Sequence, residues 1–206
     1  MKNLNAKAFA AIGIFLTIGI WLILLFVSGL QLEATWLAFK QLPTVLSIEM
    51  ILWAIFVKWG WRFNIFQNWL VPFPFIQGTW RGTLTSTWID PETKLAINPV
   101  DIVLVIRQSF LSIHCSVFTR ESESRSHSAS IHTEPDSGEK RLVYTYTNKP
   151  RTTKRDRSSI HDGTASLVIV GNPPNELKGE YWTSRKTTGE ISLTIHSETL
   201  FDKYPE

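Results

Sequence analysis

A single cysteine, Cys115, is all the chain holds. That excludes an intramolecular disulfide framework and any Cys-rich zinc site. Cys115 lies in alternating apolar sequence, the setting of a buried structural thiol and not of a nucleophile. Also missing are a Gly-rich phosphate loop and the patterns H-E-x-x-H, G-x-S-x-G and C-x-x-C. His114, His127, His132, His161 and His196 are scattered without ligand spacing, and His161-Asp162 reads as a loop-and-turn pair rather than an acid–base dyad. Carboxylates gather on no apolar strand face. The expectation is a protein that is not an enzyme and uses no metal or cofactor. Excess charge is modest as well, at +3, so where the charge sits matters more than its sum.

What is present divides the chain in two. Residues 1–76 are apolar and hold six of the nine Trp residues, whereas residues 77–206 hold most of the charge. Residues 8–30 form a run of 23 without a charge, long enough to cross a hydrocarbon core of roughly 30 Å as a helix. A cleaved signal peptide fits less well, because the run exceeds a usual h-region and Leu30-Gln31-Leu32-Glu33 is a poor cleavage site. A second apolar run lies between Lys40 and Lys58, opened by Pro43, and predicts a helix over about 42–60. Lys2, Lys7, Lys58 and Arg62 flank the outer ends of the pair, while the intervening loop carries Glu33 and Lys40. The positive-inside rule then places both termini, and all that follows, in the cytoplasm. Trp36 on one side, and Trp53, Trp59, Trp61 and Trp69 on the other, read as interfacial anchors. Glu49 is the one ionisable residue within a span. It marks either a helix contact or polar path formed on oligomerisation, or an off-centre carboxyl that the bilayer tolerates.

Residues 63–76 are aromatic, and Pro72 and Pro74 forbid a continuing helix, so they form a short stiff tether. At 77–88, QGTWRGTLTSTW, Trp80, Gly82, Leu84 and Trp88 share one parity, and threonines with Arg81 hold the other. That is the alternation of a half-buried strand, with Gly82 suited to a bend. Further strand-like runs cover 99–107, 109–120, 124–133, 139–147, 163–170, 176–184 and 189–196. Asp90-Pro91, Pro135 to Gly138, Asp162-Gly163 and Gly171 to Pro174 separate several of them. The fold class expected is a two-helix transmembrane hairpin followed by an eight-stranded, up-and-down antiparallel barrel, with a β-sandwich as the alternative.

In an up-and-down barrel the connections 89–98, 121–124, 148–162 and 185–188 meet at the end away from the tether. They bring Lys149, Arg151, Lys154, Arg155 and Arg157 together with Arg120, Arg125, Arg185 and Lys186. A mouth ringed by one sign of charge focuses its field on an anion. Ala129 and Ile131 set the inward parity of the fourth strand, turning Arg125 and His127 inward and the serines at 124, 126, 128 and 130 outward. Tyr144 and Tyr146 are in phase with Leu142, Tyr181 with Leu177, and Trp88 with Trp80. Inward aromatics beside inward cations suit stacked bases and paired phosphates. The candidate binding residues are therefore Trp88, Arg120, Arg125, His127, Tyr144, Tyr146, Arg151, Arg155, Arg157, Tyr181, Arg185 and Lys186.

Two N-terminal helices, an aromatic tether and a barrel opening on GTWRG resemble the two-transmembrane β-barrel effectors of bacterial cyclic-oligonucleotide-based anti-phage signalling (CBASS). The resemblance implies an inner-membrane protein whose barrel binds a cyclic dinucleotide made by a partner synthase. It further implies homo-oligomerisation, disruption of the lipid bilayer and abortive infection, with no nucleic-acid polymer as ligand. From the residues alone, a membrane-tethered, lipocalin-like carrier or sensor of an apolar ligand, or a structural membrane protein, stays open beside it.

Overall fold

The computed structural model describes residues 5–29, 36–90, 94–134 and 136–204, and at 195 and 196 the backbone alone. Lys2, Leu30, Glu33, Pro91, Pro135 and the side chain of His196 lie outside that description. The chain forms two compact units that divide between Pro72 and Phe73.

In the first unit, α1 (Ala6–Val27) starts where the Asn5 side chain accepts from the amide of Ala8 at 3.1 Å. After a short helix α2 (Trp36–Phe39), α3 (Leu42–Lys58) begins with Pro43 in its first turn, where a missing N–H costs nothing. Both α1 and the stretch Trp36–Lys58 are long and apolar enough to cross a membrane. They leave Phe15, Phe26, Met50 and Ile51 exposed, a surface suited to lipid. Glu49 is bonded both across the pair and within its own helix. Glu49 Oε2 lies 2.6 Å from the Thr17 hydroxyl, and Trp53 Nε1 donates to Glu49 Oε1 at 3.3 Å. The carboxylate lies against Gly13, where a Cβ would meet Glu49 Oε1 at 3.4 Å, an ordinary contact. Two of the expected anchors behave differently. Trp53 is turned onto Glu49, Phe9 and Phe56, and Trp61 is buried; Trp36, Trp59 and Trp69 are exposed.

The second unit is a closed barrel of eight antiparallel strands in sequence order. They are β1 (Gly78–Ser86), β2 (Val100–Gln108), β3 (Ile113–Phe118), β4 (Ser122–Thr133), β5 (Lys140–Pro150), β6 (His161–Val170), β7 (Glu176–Thr183) and β8 (Thr188–Ser197). The third strand starts later than the strand-like run 109–120 predicts, because Ser109 and Ser112 close a tight turn there. Closure runs through the β1–β8 seam, whose register shifts between Arg81 and Gly82. At Gly82 a Cβ would stand 1.9 Å from the carbonyl oxygen of Ser192, so only glycine lets the strands approach this closely.

One end of the barrel is filled. Trp80, Leu104, Ile106, Cys115, Leu142, Leu167, Leu177 and Leu193 are buried, and the Trp80 indole donates to the carbonyl of Ile76. Gln108 seals that end: its Oε1 accepts from the Ile76 amide at 2.8 Å and its Nε2 donates to the Pro74 carbonyl at 3.0 Å. Outside, the segment after β8 folds back over β2 and β3, packing Leu200, Phe201 and Tyr204 on Val103, Val105 and Phe118. Thr79 donates to the carbonyl of Thr199, and Arg107 pairs with Asp202, which fixes this strap.

Candidate functional site

The other end is open. There the β1–β2, β3–β4, β5–β6 and β7–β8 connections surround a cavity of about 460 Å³, within the usual size of a small-molecule site. Its floor is Leu84, Tyr144 and Ile191, and its walls include Ser86, Trp88, Tyr146, Asn148, His161 and Tyr181. Arg120, Lys154, Arg157 and Arg185 line it against the two carboxylates Asp101 and Glu121, so cations prevail.

The aromatic wall depends on small partners. Tyr146 lies over Gly163, where a Cβ would meet the phenol ring at 2.6 Å, and Tyr181 likewise lies over Gly189. The Tyr181 hydroxyl donates to Ser86 Oγ at 2.7 Å, which anchors the ring across the mouth. Tyr144 and Tyr146 lie 5.8 Å apart, centroid to centroid. Burial pushes the hydroxyls of Tyr144, Tyr146 and Tyr181 above the ordinary tyrosine value, so all three stay neutral hydrogen-bonding groups.

The four cations are not equivalent. Lys154 Nζ lies 2.9 Å from Glu121 Oε1, and Arg157 reaches Glu121 Oε2 at 3.3 Å and Asp90 Oδ2 at 3.5 Å. Arg185 has no ion pair among the described residues. Its Nη1 donates to Ser158 Oγ at 3.0 Å, while its Nε is buried without an acceptor. Burial pulls this guanidinium below its ordinary pKa, opposed by Tyr181 and Tyr146. A guanidinium half-withdrawn from water and facing no carboxylate has the chemistry to accept an anion.

Of the residues singled out from sequence, the cavity brings together Trp88, Arg120, Tyr144, Tyr146, Arg157, Tyr181 and Arg185. Arg151, Arg155 and Lys186 are exposed outside its lining, with Arg155 Nε turned back to the Pro150 carbonyl at 3.3 Å. Arg125 and His127 do not face inward. The β4–β5 register shifts between Ser126 and Ser128, and this bulge reverses the parity preceding it. Arg125 is therefore exposed beside Glu123, and His127 bonds Thr147 on the outer face. The same bulge turns Ser124 and Ser126 inward, against the expectation that all four serines face out. Ser124 donates to Asn148 Oδ1 at 2.9 Å on the cavity wall, and Ser126 accepts from the Cys115 amide. Asn148 was missed although it continues the parity of Tyr144 and Tyr146. His161 also belongs to the wall. Its Nδ1–H donates to the Ser159 carbonyl at 2.8 Å, and its pKa is lowered by burial and by Arg185. No cluster of metal-ligating side chains occurs among the described residues.

Residues 71–195 match the family described as Cap15, cyclic dinucleotide receptor domain, which takes in all but the end of the last strand of the barrel. The chain is also similar to CD-NTase-associated protein 15 of Staphylococcus schleiferi, 29% identical over 178 residues, which cover 86% of this chain and 90% of that protein. An eight-stranded barrel behind two apolar helices, closed at one end and cation-lined at the other, belongs to the Cap15 family of cyclic dinucleotide receptors.

Proposed function

We propose that this protein is an anti-phage effector that converts a cyclic dinucleotide signal into loss of membrane integrity. Residues 1–62 are the two-span anchor, 63–76 the tether and 77–206 the sensing barrel on the cytoplasmic side of the inner membrane. The positive flanks of the helices support that orientation. The role is reception rather than catalysis, without a cofactor. The signal comes from a cyclic-oligonucleotide synthase, as the similarity to a CD-NTase-associated protein supports.

Arg185 carries the reading of the site. A cyclic dinucleotide offers two phosphodiesters and two flat bases. Arg185 supplies an unneutralised donor for one phosphate, and the neutral phenols of Tyr146 and Tyr181 flank it with faces on which bases stack. The contrast with an apolar-ligand carrier is clear, because a half-buried guanidinium without a counter-ion repels such a cargo. Occupied barrels then associate as homo-oligomers, and the clustered helices breach the bilayer.

Full-length protein reconstituted into vesicles with an entrapped dye tests the proposal. One member of a cyclic dinucleotide panel is expected to trigger release, with a dependence on protein density steeper than first order. Ligand that binds without releasing dye at any density would remove membrane disruption and leave a receptor of another output.

A further inference from the structure

We propose that Lys154 and Arg157 form a second phosphoryl site at the cavity mouth, whose counter-ion in the free protein is the carboxylate of Glu121. Ligand entry is then an exchange of one anion for another. The inference rests on the cyclic dinucleotide reading above.

The geometry puts Glu121 where a phosphate belongs. It lies at the tip of the β3–β4 turn, held rigidly because the Thr119 hydroxyl accepts from the amides of Glu121 and Ser122 at 3.1 and 2.9 Å. Opposite, the β5–β6 connection coils into a compact turn. The Lys154 amide donates to the Arg151 carbonyl and the Ser158 amide to the Lys154 carbonyl. That coil brings Lys154 and Arg157 to one carboxylate, and the Arg151 amide fastens it to the Glu121 carbonyl at 2.8 Å. The backbone that carries both cations therefore stays in place when the Glu121 side chain leaves, since its anchor is the Glu121 carbonyl.

The Lys154–Glu121 pair is close, at 2.9 Å, but the pairs of Arg157 are loose. Arg157 divides its two terminal nitrogens between Glu121 and Asp90 at 3.3 and 3.5 Å, well beyond the 2.7–2.9 Å of a good charge-assisted bond. The Glu121 side chain keeps 52% of its surface exposed, so its ion pairs are weak and readily screened. A phosphodiester, with two oxygens in fixed geometry and attached to a ligand already held at Arg185, is the stronger partner. Ser158 joins the two sites: it follows Arg157 in the chain, and its hydroxyl accepts from Arg185. The two cation sites thus adjoin through consecutive residues, so one ligand carrying two phosphates engages both, and Glu121 sets a threshold that a ligand with one phosphate does not cross as easily.

The test is calorimetric titration of cyclic di-GMP, di-AMP and di-UMP into full-length protein in detergent, comparing wild type with Glu121→Gln at two salt concentrations. Removing the competitor is expected to tighten binding of the recognised ligand by about three- to fivefold and to steepen its salt dependence. Lys154→Ala is expected to weaken binding by a similar factor. Equal or weaker binding by Glu121→Gln, where wild type binds, would overturn the exchange and leave the receptor reading intact. An unchanged affinity in Lys154→Ala would overturn it as well. Failure of folded wild type to bind any of the three would take away the reading beneath it, and the exchange with it.

Discussion

Lys154 and Arg157 face carboxylates, whereas Arg185 faces two tyrosines and a serine, and that difference sorts three cations that look alike in the sequence. Arg185→Lys keeps the charge but loses Nε and the planar fork, so its affinity for the ligand should fall to between that of wild type and an alanine variant. His161 gives a pH signature of the same locus. In the free protein its pKa is held below 6.5 by burial first and by Arg185, against the Ser159 carbonyl and Asp162. A phosphate on Arg185 cancels part of that positive field, so the bound-state pKa is higher than the free one. Binding then takes up a proton, and affinity rises as pH falls toward the lowered free-state pKa of His161. Calorimetry in two buffers of different ionisation enthalpy counts the proton. No uptake by wild type, or the same uptake by His161→Gln, would contradict the placement of the phosphate. At this scale the sequence is legible where parity is anchored by apolar neighbours. Tyr144, Tyr146 and Tyr181 follow Leu142 and Leu177 inward. Arg125 and His127 were not legible, since no apolar residue precedes Ala129 in ESESRSHSAS to reveal the bulge.

Among elements, the β1–β8 seam closes the barrel and Gly82 permits it. Gly82→Ala must push backbone apart at Ser192 and Leu193, so a loss of about 1–3 kcal/mol or more is expected. Gly138→Ala is the control. There φ is +69° but nothing lies within 4 Å of the added Cβ, so only the backbone cost of about 1 kcal/mol applies. Thermal denaturation should place Gly82→Ala well below Gly138→Ala, and the reverse order would mean that the seam relaxes. The bend at Gly82 was readable from the strand pattern. The strap of Leu200, Phe201 and Tyr204 left a signal that went unread. In VDIVLVI, Val103 and Val105 interrupt the alternation because the outer face of β2 is covered too.

For the whole molecule, the helix pair and the barrel are separate compact units. Glu49, bonded to Thr17 and Trp53 within the helix pair, lies in a different unit from the cavity. Glu49→Ala is therefore expected to leave ligand affinity unchanged while altering dye release severalfold, because an intramembrane carboxyl is costly unless it serves the assembled state. Unchanged release would make it a tolerated residue. The two apolar runs and the up-and-down order of the strands were evident from composition and turn spacing. The neutralisation of Lys154 and Arg157 was not, because ion pairs between separate loops depend on how those loops fold back over the mouth.

The central claim is that the cation-lined cavity receives a cyclic dinucleotide through Arg185. Calorimetric titration of a cyclic dinucleotide panel into full-length wild type and Arg185→Ala tests it most directly. One ligand per barrel, weakened by salt and by roughly 10- to 100-fold in Arg185→Ala, is the result predicted. Wild-type affinity in a folded Arg185→Ala would contradict it and move the ligand elsewhere on the barrel.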